Sequence, residues 1–304
     1  MTGQTVQRTT PHGAAAAGSI YDLGYQHYEG PRLGRRAAML ALFVESLRAC
    51  FGIGRPGRAK VVPIGLLVLA LLPAVIAVAI EAIAGSRIEN PIRYDNYFAN
   101  VVQLQVLFVA AQAPELVGRD QRYHVLSLYF SRALDRLDYA AAKVGALVAA
   151  LLVMALLPHV AIFAGKILGS ADVARGFGDN IVKAPPILLS SFAAATLMGT
   201  IALSVAAFTP RRAYATAAIF ALFYITLAVA EVVAESVQGE LPRYAHLLAP
   251  TSVLDGLTAW TFGAAPSREL RDAPIGGELY VAAAVVMAAL ALLALARRYT
   301  RIAA

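Results

Sequence analysis

The chain has 304 residues, 59% of them hydrophobic and 15% charged, and its mean hydropathy is strongly positive. That balance excludes an ordinary soluble domain and places the protein in a membrane. A single cysteine, Cys50, rules out an intramolecular disulfide and a cysteine-based metal cluster, and the net charge of +7 brackets apolar spans, which assigns it to topology and anionic headgroups, with no nucleic acid as partner.

Residues 1–19 lack the apolar run of a signal peptide and read as a disordered cytoplasmic tail. Residues 20–60 form a cytoplasmic segment. Its aromatic patch Tyr21–Gly30 precedes a helical pattern in which Leu33, Ala37, Leu40, Val44, Leu47 and Phe51 share one stripe, with Arg35, Glu45 and Ser46 away from it. The pattern predicts an amphipathic helix lying in the membrane interface. Gly52, Gly54, Pro56 and Gly57 end it, and Arg55, Arg58 and Lys60 mark a membrane boundary.

Residues 61–304 predict a transmembrane domain of six spans, so the fold class is all-α and polytopic. The spans run about 61–81, 97–113, 139–164, 185–208, 213–235 and 278–296. Small residues Ala194, Met198, Gly199, Ala202 and Ala206 predict close helix packing in the fourth. Between the fifth and sixth, 244–262 is broken by Pro250 and Asp255 and predicts a re-entrant or interfacial hairpin. Six spans put both termini on one side, and the greater share of the 26 Lys and Arg makes that side cytoplasmic.

The long polar stretch Pro114–Lys143 interrupts the apolar pattern. It carries Glu115, Arg119, Asp120, Arg122, Arg132, Asp135, Arg136 and Asp138, which lipid cannot hold. Leu126, Tyr129, Phe130 and Leu134 recur at helical spacing, so one or two short amphipathic helices are expected, forming a cytoplasmic docking element.

Signals for catalysis are missing. The five histidines make no HExxH, there is no GxSxG elbow, and there is no phosphate-binding GxxxxGK[ST] loop. His159, inside the third span, reads as a hydrogen-bonded helix histidine. The second span holds the polar atoms: Asn96, Asn100 and Gln103 on one face, Gln105 and Gln112 on the other. Amides in hydrocarbon need partners, so one face can border a substrate path and the other can bond between helices. Glu231 and Glu235 lie one turn apart near the end of the fifth span. Glu231 is either a cation-sensitive gate or a carboxylate reaching water where the span ends.

The segment Pro114-Glu115, Asp120, Arg122, Leu128, Ser131-Arg132, Leu134, Arg136, Tyr139 and Lys143 resembles the cytoplasmic loop of ABC-2 type transporter permeases. The opening 20–36 is similar to the start of actinobacterial members, and Pro250–Ser252 is similar to the family's outer re-entrant segment. Ala133 departs from the proline common there. The resemblance implies the permease subunit of an ATP-binding cassette exporter in the bacterial inner membrane, without catalysis or cofactor of its own. A second permease subunit, two ATP-binding subunits carrying ATP and Mg, and membrane lipids would be its partners. Glu115, Arg119, Asp120, Arg122, Tyr123, Leu126 and Tyr129 would form the coupling helix between the second and third spans, and Asn100, Gln103 and Glu231 would border the substrate path. The alternative function is a stand-alone carrier or channel driven by an ion gradient, with Glu231 as its titrating group.

Overall fold

A computed structural model describes residues 30, 33–84, 93–131, 134–170, 172–237, 241–266, 270 and 275–301. The expected tail 1–19, most of the Tyr21–Gly30 patch, Arg132 and Ala133 lie outside the described residues. Internal contacts divide the chain into residues 1–33 and 34–304, and the helices belong to the second unit.

The described residues contain helices and no strand. In chain order they are α1 (Arg35–Cys50), α2 (Arg58–Ala84), α3 (Tyr97–Arg122), α4 (Leu126–Phe130), α5 (Arg136–Leu168), α6 (Val173–Ile181), α7 (Ala184–Ala207) and α8 (Arg212–Ser236). A 3-10 helix Leu241–Leu248, α9 (Pro250–Phe262) and α10 (Gly277–Thr300) complete the order. Six of them, α2, α3, α5, α7, α8 and α10, are long and apolar enough to cross a membrane. The protein is a polytopic helical membrane protein.

The centre of the bundle is α3, α5 and α7. Ala194, Met198, Gly199, Ala202 and Ala206 of α7 are all buried. A Cβ on Gly199 would sit 3.2 Å from Val148 of α5, so the two backbones approach as closely as small residues permit. The helix α9 has 13 residues, too few to span. Pro250 opens its first turn, Gly263 closes it with φ 61°, and a Cβ on its Gly256 would collide with the Tyr280 ring of α10.

Three boundaries differ from the sequence pattern. The second span was expected to end at Ala113, yet α3 continues through Pro114 to Arg122. Pro114 has no N–H for the carbonyl of Ala110, four residues earlier. The Thr216 hydroxyl of α8 donates to that carbonyl at 2.9 Å, so the interruption is repaired from a neighbouring helix. Residues 173–181, expected as a polar link, form α6, because the Asp172 carboxylate accepts from the backbone N–H of Ala174 and Arg175 at 3.0 and 3.2 Å. The third span starts at Arg136, three residues early, on a capping box formed by Asp135 and Asp138.

Helix α1 exists where expected. Leu42, Ser46 and Cys50 are buried, while Leu40 and Val44 of the expected stripe are exposed. Phe43 lies over Gly145 of α5, where a Cβ would stand 3.4 Å from its ring. The glycine leaves a seat that decides which face of α1 turns in. Beyond Cys50, Gly52 takes φ 67°, and a Cβ there would come within 2.6 Å of the Ala59 carbonyl oxygen.

Candidate functional site

The beginnings of α2, α5 and α8 and the ends of α3, α7 and α10 meet at one end of the bundle, and that end is rich in arginine. Three ion-pair groups hold it together. Arg35 of α1 pairs with Asp138 of α5 at 2.6 Å and with Asp135 at 2.6 Å. Glu115 of α3 takes Arg55 at 3.3 Å on one oxygen and Arg212 of α8 at 2.6 Å on the other. Asp120 of α3 takes Lys143 of α5 at 2.9 Å and accepts from the Tyr139 hydroxyl at 2.7 Å.

Tyr139 is fully buried, with the rings of Tyr129 at 5.5 Å, Phe130 at 6.0 Å and Tyr299 at 5.2 Å around it. The last carbonyl of α7, Ala207, accepts from Gln121 of α3 at 2.9 Å and from Arg298 of α10 at 3.2 Å. The ends of α3, α5, α7, α8 and α10 are therefore cross-linked in one polar layer, and α1 is tied to it.

The residues expected to dock a partner divide between two roles here. Glu115 and Asp120 face inward and bind helix to helix. Leu126 is buried as well, at 7% exposure, beneath the α3–α4 turn. Arg119, Arg122 and Tyr123 are exposed, and Tyr129 is half-buried. Arg119 and Arg122 enter no ion pair among the described residues. Leu128, at 65% exposure, stands beside Tyr123, at 67%, in an open groove that Arg119, Asp120, Val125 and Tyr129 complete. Leu128 was part of the family resemblance but not of the expected docking set. Its register follows from α4 starting at Leu126, which periodicity alone does not reveal. Arg122 lines a different groove, between α2 and α8.

Outside the spans, ordinary ionisation is altered at five described residues, one of them Tyr94, which burial raises. The hydrogen bond to Asp138 raises Arg35 above its usual range. Burial raises Tyr129. Burial pushes the Cys50 thiol up to about 12, so it stays protonated and unreactive. The hydrogen bond from Arg93 lowers Asp95 below the usual carboxylate range.

The amides of α3 separate by face. Gln105 and Gln112 are buried within the bundle, whereas Asn100 and Gln103 are exposed. The Asn100 side chain donates back to the Asn96 carbonyl at 2.9 Å. Gln103 accepts from the Tyr224 hydroxyl of α8. Glu231 is exposed on α8 and makes no ion pair among the described residues.

Buried Gln105 lines a small, mostly apolar cavity with His159, Ser190, Ser191 and Thr258. Nδ1–H of His159 donates to the Ala155 carbonyl at 2.7 Å, which accounts for this histidine as a helix residue. The cavity holds about 10 Å³, roughly the space of one water.

Among the described residues no group of three or more His, Cys, Asp or Glu could hold a metal ion. No protein-family model matches the chain, and no curated protein matches it.

Proposed function

We propose that the chain is the transmembrane subunit of an ATP-binding cassette exporter, working as one of a pair of membrane subunits with separate ATP-binding subunits. The observation that carries this reading is the α3–α4 turn. It presents Tyr123 and Leu128 outward while Asp120, Lys143 and Tyr139 lock its base to the spanning helices. A push on such a turn is delivered directly to α3 and α5, because a buried ion pair and a packed ring cluster transmit displacement better than a slack loop does.

In this reading the arginine-rich end is cytoplasmic, α1 lies in the interface with Leu40 and Val44 toward lipid, and α9 with the 3-10 helix forms the outer hairpin. Apolar contacts of Tyr123 and Leu128 dominate docking, and Arg119 orients it, since an exposed ion pair contributes only about 0–1 kcal/mol. Glu115 and Asp120 position the element through their ion pairs within the bundle, and Asp120 also lines the groove. The exposed α3 amides Asn100 and Gln103, with Glu231 on α8, border the substrate path between the two membrane subunits.

The test is co-purification from native membranes. The wild type is expected to bring an ATP-binding subunit in stoichiometric amount, and Y123D/L128D to lose it while keeping its melting temperature. Changing buried Leu126 instead would damage the fold and prove nothing about docking. A preparation free of any ATPase that still transports in liposomes under an ion gradient would overturn the proposal.

A further inference from the structure

From the groove between α2 and α8 we infer that the bundle carries a built site for an anionic phospholipid. The floor of the groove is α3 at Leu107 and Ala111, its walls are Val62 and Leu66 of α2 and Ala217 and Phe220 of α8, and its volume is about 1080 Å³. That exceeds the roughly 300–1,000 Å³ of pockets for drug-sized ligands. The walls are apolar and open sideways, where acyl chains belong.

One end of the groove is cationic. Arg122 from the last turn of α3 and Arg211 and Arg212 from the start of α8 line it together with Tyr214. Arg212 is engaged by Glu115, which Arg55 shares. Four guanidiniums against one carboxylate leave a charge of +3. Arg211 lies over the Tyr214 ring at 5.6 Å, and Arg122 enters no ion pair among the described residues, so two guanidiniums remain to receive an anion. Arg211 caps α8 without a side-chain hydrogen bond, which adds the positive end of that helix to the same field.

The ends of spanning helices stand at headgroup level, so the charge meets a lipid phosphate while the walls meet its chains. Neither half explains the groove alone. A soluble anion would leave the apolar walls bare, and a neutral lipid would leave the arginines without a counter-charge. Leu107 and Ala111 lie on the face of α3 that carries Asn100 and Gln103, so in the exporter reading the lipid and a second membrane subunit compete for this face. The site needs no ATP-binding partner, so lipid binding and co-purification of an ATPase are read separately.

The experiment is native mass spectrometry of the purified full chain, titrated with phosphatidylglycerol and with phosphatidylcholine of identical acyl chains. The wild type is expected to bind the first phosphatidylglycerol more tightly than phosphatidylcholine. R122Q/R211Q should weaken phosphatidylglycerol about 25-fold, roughly five-fold for each guanidinium near an anionic surface, and leave phosphatidylcholine unchanged. A217W keeps every arginine but fills the groove, and it should lose phosphatidylglycerol too. Should the double variant melt lower than the wild type, the A217W result and the wild-type lipid preference decide alone.

Equal affinity for the two lipids in the wild type would overturn the inference. Displacement of phosphatidylglycerol by millimolar glycerol phosphate would also do so, because it would mark a site for soluble anions. A homodimer free of bound phosphatidylglycerol would mean that a second copy covers the groove, and the inference would fall.

Discussion

The inner helices α3 and α7 and the outer helices α2, α8 and α10 reverse the order familiar from soluble proteins. Burial covers 67% and 72% of the apolar windows of α3 and α7, against 22%, 17% and 22% for α2, α8 and α10. Yet α3 and α7 are the two least apolar of the six spans, and α2 is the most apolar. In lipid, an exposed Leu or Val is already in a favourable solvent, so hydropathy does not draw a helix inward. Amides, hydroxyls and charges do need protein partners, and small residues let backbones approach. The helices that carry Gln105, Gln112, Ser190, Ser191, Thr200 and Gly199 therefore occupy the middle.

The largest expected effect tests whether polar links outrank apolar area. Asp120→Ala would strand Lys143, which is only 6% exposed, and should cost about 3 kcal/mol, the lower end for breaking a buried pair. Unfolding in a graded denaturing detergent measures it. Asp120→Asn, which keeps an acceptor for the Tyr139 hydroxyl, should lose less. Equal stability of Asp120→Ala and the wild type would mean that the polar layer is ornamental.

Next comes the same truncation on an inner and an outer helix. Leu151, 1% exposed against Gly199, should cost about 2 kcal/mol when changed to Ala, chiefly through the cavity left behind. Leu290 of α10, 61% exposed, should stay within about 0.5 kcal/mol on the same change. Similar losses at both sites would erase the distinction between inner and outer helices.

The smallest effect lies at the far end of the bundle. Arg93 holds the folded-state Asp95 below its usual titration range. The pair therefore contributes stability above the unfolded carboxylate value near pH 4 and loses it as pH falls through the lower folded value. Asp95→Asn should cost about 0.5 kcal/mol at neutral pH, and its melting temperature should converge on that of the wild type as pH drops from about 5 toward about 3. A constant gap across that range would exclude ionisation as the cause.

How the candidate site was legible differs by residue. Composition pointed to the charged stretch after Pro114 and to the two faces of α3, and the structure does separate Gln105 and Gln112 from Asn100 and Gln103. The inward turn of Glu115 and Asp120 was not legible, because their partners Arg55, Arg212 and Lys143 are remote in sequence. Leu126 and Leu128 look alike in a hydropathy pattern, and only the point at which α4 begins sends one inward and the other out.

By itself the sequence determined that the chain is helical, that six segments can cross a membrane, and where most of them start and stop. Those properties rest on local composition, the roughly 20-residue length of a span, and Pro, Gly and Asp at the ends. Tertiary structure alone decided which helices are inner, which face of α1 turns toward Gly145, and that α3 runs on through Pro114. Each of these depends on a partner from elsewhere in the chain: a glycine that makes room, a remote counter-charge, or the Thr216 hydroxyl that takes the place of a missing N–H.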